Sequence, residues 1–328
     1  PFCLGVCRDG FFSANALHYC RDFDGGHYDP LIRGECYLFT RSYSIGASKI
    51  GEGGCPMKTL WLRLVFASLL YASGMGFGSA TAAETPNGSA VMKEMIAAYY
   101  YARTDAKSEI RMSIVNRQGQ TRERRLTLLR LDKTDGGEQS YYIYFHEPAD
   151  VQGMSFLVLK NPGRDDDRWL YLPAIDLVKR IATSDKRSSF AGSDFTYEDV
   201  SGRDLDEDEH TLEGEEMLGE YSAFVIKSTP KHPSEVEFSA RKFWVDKATH
   251  LPLKVEHYDL KGTLYKVYET KEIQIIQDTP TITKAVMRDL GNERTTEITQ
   301  KTVSYDAGIT SDLFQERLLR RPPTQGIS

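Results

Sequence analysis

The sequence predicts a mainly β fold of the α+β class: a curled antiparallel sheet forming a half-open barrel, with helices as a lid over an apolar cavity. Three observations predict it. A single helical stripe opens the region after residue 84, and beyond it the apolar period changes from about 3.6 to 2. Alternating runs then succeed one another through short turns, the pattern of an antiparallel sheet that curls. The segment Pro173–Gly219 interrupts this rhythm and, with the first helix, supplies the cover that the sheet's apolar face requires.

The first element is a helix over Ala90–Tyr101, where Val91, Met92, Met95, Ile96 and Tyr99 recur at three- and four-residue spacing. Asn87, Gly88 and Ser89 provide its capping chemistry. Ile110, Met112 and Ile114 alternate with polar residues, and the turn Asn116–Gly119 returns the chain along Arg122–Leu131. Further strands are expected at Tyr141–Phe145, closed by Pro148, then at Met154–Leu159 and Trp169–Leu172, with the turn Asn161-Pro-Gly163 between the last two. Tyr221–Ser228, Glu235–Val245, Leu253–Asp259, Thr263–Ile276, Ile282–Leu290 and Thr295–Tyr305 complete a sheet of about ten strands. Lys247–Thr249 and Lys261-Gly262 read as hairpin turns. A last helix is expected over Leu313–Arg320, because Asp312 and Gln315 stand at capping-box spacing.

The chain has 328 residues, a formal net charge of −6, 40% hydrophobic and 27% charged residues. This balance excludes a membrane bundle and a disordered tail. A mild acidic excess argues against nucleic acid as a partner, since phosphate binding calls for basic surplus. All five cysteines, Cys3, Cys7, Cys20, Cys36 and Cys55, precede Met57. After Met57 a basic stretch to Arg63, an apolar run Leu64–Ala72 and the small residues Ala80-Thr-Ala82-Ala83 follow the grammar of a cleaved secretory signal. The expected organisation is therefore an upstream extension over 1–56, a signal peptide over 57–83 and one cysteine-free domain over 84–328. Such a product is expected in a bacterial periplasm, without a lipid anchor.

Several motifs resemble the LolA-like family of outer-membrane lipoprotein-sorting proteins. The densest run is Gly153-Met-Ser-Phe-Leu-Val-Leu-Lys-Asn-Pro-Gly-Arg164, followed by Trp169-Leu-Tyr-Leu-Pro173, Lys179-Arg-Ile181 and Ser189–Asp199. Phe243-Trp-Val-Asp246, Leu251-Pro-Leu253 and Phe314–Leu319 extend the likeness across almost the whole domain. The resemblance implies an unclosed antiparallel barrel with a helical lid, carrying lipoprotein acyl chains or other lipids. It also implies an inner-membrane exporter and an outer-membrane acceptor as partners. A sensor module of the RseB type is the alternative within the same architecture.

Candidate binding residues follow from faces and composition. Met154, Phe156 and Val158 share one strand face, and Leu170 with Leu172 another; they serve equally as cavity walls or as ordinary core. The stretch with Phe190, Phe195 and Tyr197 around Gly192 reads as a mobile loop over a cavity mouth, or as a turn with aromatic anchors. Arg180, between Val178 and Ile181, suits a ligand headgroup or a lid latch, or else a salt bridge to Asp194, Glu198 or Asp199. Asp165–Asp167 and Asp204–Glu209 lack the glycine and terminal glutamate of a calcium loop and read as solvated acidic loops. No H-E-x-x-H, G-x-S-x-G or P-loop pattern occurs in the domain, so no catalytic residue, metal or cofactor is expected.

Overall fold

The computed structural model describes residues 86–323 apart from Asp135, together with Gly326 and Ile327. The expected extension and signal peptide, residues 1–83, lie outside the described residues. Helix α1 (Gly88–Tyr100) begins where the Asn87 side chain accepts from the Ala90 amide at 2.7 Å. Its buried stripe is Val91, Met92 and Met95.

Thirteen strands follow. The first six are β1 (Asp105–Val115), β2 (Thr121–Asp132), β3 (Gln139–Glu147), β4 (Ser155–Lys160), β5 (Asp167–Leu172) and β6 (Leu177–Arg180). After a five-residue helix α2 (Tyr197–Ser201) come β7 (Asp208–Leu218), β8 (Tyr221–Pro230), β9 (Phe238–Asp246), β10 (Pro252–Asp259), β11 (Leu264–Ile276), β12 (Thr279–Asp289) and β13 (Arg294–Tyr305). They form one sheet in the order β6-β5-β4-β3-β2-β1-β13-β12-β11-β10-β9-β8-β7. Every neighbouring pair is antiparallel, β1 and β13 included. Two meanders therefore run outward from the centre, and the sheet does not close: β6 and β7 are its edges. The connection from β6 to β7, residues 181–207, has to travel from one edge to the other, and its side chains pack on the inner face on the way.

Strand β3 is buried on both faces, which explains the unbroken run Tyr141–Phe145. Tyr141, Ile143 and Phe145 join Met112, Leu126, Phe156 and Val158 on the inner face. Tyr142, with Leu129 and Leu157, packs outward against Ile309, Leu313, Phe314 and Leu319. On the other half of the inner face, Val91, Met92 and Met95 of α1 pack on Ile226, Phe243, Val245 and Val255.

Three expectations are corrected. The segment Pro173–Gly219 is not all cover, since it contributes both edge strands. Strand β6 is four residues long, and β7 carries few apolar residues because one of its edges has no strand partner and most of its side chains are not buried. The C-terminal element is not an α-helix but two 3-10 turns, Ser311–Leu313 and Glu316–Leu318. Here the Tyr142 hydroxyl donates to the Leu318 carbonyl and the Ser155 hydroxyl to the Leu319 carbonyl, each at 2.7 Å. The backbone thus bonds to the sheet, and Leu313, Phe314 and Leu319 all reach its outer face, which one helical stripe would not allow. The acidic stretches are not simply solvated either. Asp166 is buried against Arg168 at 2.6 Å, and Asp208 is buried between Arg203 and Arg241.

Candidate functional site

Helix α1 covers the β7–β10 half of the inner face, and the 181–207 connection covers the β3–β5 half. Between them, over the centre of the sheet, lies a cavity of about 210 Å³. Its floor comes from alternate residues of central strands: Ser108, Ile110 and Met112 on β1, Leu126, Leu128 and Arg130 on β2, Ile143 on β3 and Ile298 on β13. Its roof is Tyr99 and Tyr100 from the end of α1, Phe190 and Phe195 from the connection, and Val200 from α2. A second chamber of about 70 Å³ lies beyond this roof, between α1 and β9–β12. Tyr99, Tyr100, Phe195 and Asp199 border both chambers and so form the partition.

The walls are apolar in effect because their polar groups are committed to one another. Ser108 donates to the Gln300 side-chain oxygen at 2.6 Å, and Gln300 donates to the Ile282 carbonyl at 2.8 Å. The Tyr141 hydroxyl donates to Gln139 at 2.8 Å. Arg130 donates to the carbonyls of Tyr100, Ala102 and Arg103 and lies 3.6 Å from Asp132. Burial holds the Tyr99, Tyr100 and Tyr141 phenols well above their ordinary pKa, so they remain neutral. In the smaller chamber burial, together with Arg241 and Lys266, holds His257 well below its ordinary value, as a neutral imidazole.

The connection is anchored, not loose. Phe190 and Tyr197 interleave with Phe145 and Phe156 at centroid distances of 5.2 to 5.8 Å. The Asp194 carboxylate accepts from Arg294 at 2.6 Å and from Thr296 at 2.7 Å. Thr196 and Asp199 form a capping box on α2. Glu198 is buried against Lys186 at 2.9 Å and Arg203 at 3.4 Å, and Lys160 donates to the Gly202 carbonyl at 3.0 Å.

The predicted residues divide accordingly. Phe190 and Phe195 line the cavity. Met154, Phe156, Val158, Leu170 and Tyr197 are buried on the same inner face, packed under the connection instead of facing the open space, and Leu172 is half-buried beside them. Arg180 is exposed on the β6 edge and pairs with Asp167 on β5, away from Asp194, Glu198 and Asp199. Ile110, Leu126, Leu128, Tyr100 and Ile298 also line the cavity, though little in the sequence marks them as site residues. The run Tyr99-Tyr100-Tyr101 at the end of an amphipathic helix was the one local signal for the partition. Among the described residues no cluster of His, Cys, Asp and Glu is arranged to hold a metal, and no helix is long and apolar enough to cross a membrane.

A protein-family model described as "-like: Uncharacterized protein" matches residues 137–321, more than half of the chain. A structure of a DUF1329 family protein from Desulfovibrio piger is 31% identical, with a TM-score of 0.66, covering 71% of this chain and 97% of that one. The chain belongs to the DUF1329 family. A domain described as an outer membrane lipoprotein-sorting protein, from Vibrio parahaemolyticus, is 28% identical over 71% of this chain and 98% of that one, with a TM-score of 0.66. A LolA superfamily protein from Nitrosomonas europaea shares the fold, with a TM-score of 0.55 at 16% identity over 71% of this chain and 99% of that one. No curated protein matches the sequence. The unclosed sheet with its roofed inner face is thus the LolA-superfamily architecture.

Proposed function

We propose that this DUF1329 protein is a periplasmic carrier that shields the acyl chain of a lipoprotein or another lipid from water. The observation that carries the reading is the apolar cavity on the inner face of an unclosed sheet, roofed by the end of a helix and by a separate anchored connection. Kinship with a lipoprotein-sorting domain supports it. Burial of acyl chain is worth about 0.8 kcal/mol per methylene, so a long chain gains on the order of 10 kcal/mol before the costs of association.

The 210 Å³ cavity is smaller than the roughly 300 Å³ at which ligand pockets usually begin. Loading a long chain therefore requires the Tyr99–Tyr100–Phe195 partition to part, which joins the two chambers along the inner face. A carrier also has to release its cargo, and a partition made of side chains and a helix end is easier to reopen than a closed core. Under this reading an inner-membrane exporter supplies the cargo and an outer-membrane acceptor receives it, after a signal peptide has directed the chain to the periplasm.

Native mass spectrometry of protein purified from the periplasm tests the proposal. Bound species of lipid mass, lost on delipidation and regained on adding lipid, are expected. Protein that is consistently ligand-free and takes up neither fatty acid nor phospholipid overturns it.

A further inference from the structure

Among the described residues, four arginines bury their Nε without an acceptor: Arg124, Arg130, Arg168 and Arg241. Three of them have a carboxylate at the guanidinium terminus: Asp132 for Arg130, Asp166 for Arg168 and Asp208 for Arg241. Arg124 has none. Only 8% of the residue is exposed, and among the described residues it makes neither a hydrogen bond nor an ion pair. Its Nε is buried without an acceptor, which calls for an explanation, while its terminal nitrogens open onto a surface cleft lined also by Glu109, Glu123, Glu147 and Lys301.

Its position supplies one. Arg124, Leu126, Leu128 and Arg130 are alternate residues of β2 and share the inner face. The last three line the cavity, and Arg124 is the next residue along that row. It lies opposite Met112, which also lines the cavity, and beside the connection: a methyl added at Gly192 would come 3.7 Å from its terminal nitrogen. The row is therefore bracketed by two arginines six residues apart, a span of about 20 Å. Arg130, at one end, spends its donors on main-chain carbonyls. Arg124, at the other, keeps its donors free. One acyl chain spans half of a bilayer core about 30 Å thick, or about 15 Å, which the row matches in length, the parting of the partition supplying the volume.

We propose that Arg124 is the headgroup site of the carrier, binding the carboxylate or phosphate of a single-chain anionic amphiphile whose tail lies along Leu126 and Leu128 toward Arg130. A guanidinium offers two parallel donors to such an oxyanion. Exposed Asp150 acts on Arg124 electrostatically, and of the three glutamates in its cleft, Glu123 is paired with Arg111 and Glu147 with Arg125, which leaves Glu109 as the other competing acid. The inference rests on the carrier reading and adds the charge of the cargo and the end at which its head sits.

The test titrates the full domain with dodecanoate, dodecyl phosphate and dodecanol below their micellar concentrations, by displacement of a fluorescent fatty acid. Inorganic phosphate alone serves as the free-anion arm. The dodecanoate-to-dodecanol affinity ratio is expected to fall about tenfold in Arg124→Gln, the loss of a charge-assisted contact, with dodecanol binding retained and the circular dichroism unchanged. Arg124→Lys is expected to recover part of the ratio, and Asp150→Asn, at an exposed position, to raise it modestly. An unchanged ratio in Arg124→Gln, or a fall in Asp150→Asn, overturns the headgroup site while leaving the carrier reading intact. Displacement of dodecyl phosphate by inorganic phosphate at equal concentration overturns the amphiphile assignment in favour of a free anion. Failure of all three amphiphiles to bind the unaltered protein overturns the carrier reading itself.

Discussion

The guanidinium of Arg130, on the inner face of β2, donates to the main-chain carbonyl of Tyr100 in the last turn of α1. The same group donates to the carbonyls of Ala102 and, at 2.9 Å, Arg103. These carbonyls, at the end of a helix and just beyond it, lack intrahelical partners, so Arg130, joined at the Tyr100 carbonyl by the Gln139 side-chain amide at 2.8 Å, satisfies the helix terminus and fixes it over the cavity. Replacing Arg130 with Met removes every one of the guanidinium donors from a buried site. A loss of about 3 kcal/mol or more is expected in urea unfolding. Arg130→Lys is expected to recover little of it, because one ammonium does not reproduce the planar fork.

Gly202 ends α2 with φ +74°, and a Cβ there would lie 2.7 Å from the Tyr100 ring. Gly202→Ala therefore meets both backbone strain and a clash with the cavity roof. The strain alone costs about 1–3 kcal/mol, and a lowered thermal midpoint in calorimetry checks it. If ring displacement also disturbs the partition, acyl uptake by the folded fraction changes as well.

Stability should depend on pH in two legs. His257 lies well below its ordinary pKa in the folded chain, because of burial, Arg241 and Lys266. The unfolded chain therefore binds more protons in the interval up to about 6.5, the free imidazole value. The contribution of the neutral ring is complete above that pH and declines as pH falls below it. Glu198 and Asp208 behave similarly at lower pH. Burial alone would raise their pKa, but Lys186, Arg203 and Arg241 around Glu198, and Arg241 and Arg203 around Asp208, outweigh it and hold both carboxyls below their usual range. Their contribution is complete above about pH 4 and is lost as pH falls through the lowered folded values. Urea midpoints measured from pH 8 to 3 should show a decline beginning near 6.5 and a steeper one below 4. His146 and His210 are also held below their ordinary values, chiefly by burial, so His257→Gln should reduce the first leg, and Glu198→Gln should lower stability at pH 7 while flattening the second.

Much of the fold was legible because the physics that sets it is local. Alternation along β1 and β2, the turns at Asn161-Pro-Gly163 and Lys247–Thr249, and the stripe of α1 each state their structure within a few residues. The edge strands were not legible for the same reason. Leu177–Arg180 is too short to show a period, and Asp208–Leu218 has no apolar face to alternate because most of its side chains stay out of the core. Asp312 and Gln315 promised a helix, but the hydroxyls of Tyr142 and Ser155 claimed the carbonyls near its end. The site divides along the same line. Phe190 and Phe195 stood out as aromatics in a loop, and both line the cavity. Leu128 and Ile298 read as ordinary strand residues, and only the pairing of β2 with β1 and of β1 with β13 brings them beneath the same open space.

Phe195 separates the two chambers and is only half-buried, so its removal should be tolerated. Phe195→Ala is expected to cost less than the roughly 3 kcal/mol lost on truncating a fully buried Phe. It should also speed uptake of a fluorescent fatty acid in stopped flow, since the chambers then communicate without a rearrangement. Slower uptake with an intact fold would mean that Phe195 is part of the binding surface and not a barrier.

The central claim is that the cavity over β1, β2 and β13 receives the acyl chain. Equilibrium binding of a fluorescent fatty acid to the unaltered domain and to Leu128→Trp tests it most directly, because the larger side chain fills the cavity from a half-buried floor position without removing any hydrogen bond. The account predicts saturable one-to-one binding by the unaltered protein and a loss of at least tenfold in affinity for Leu128→Trp, with circular dichroism unchanged. Equal affinity in the two proteins would contradict it.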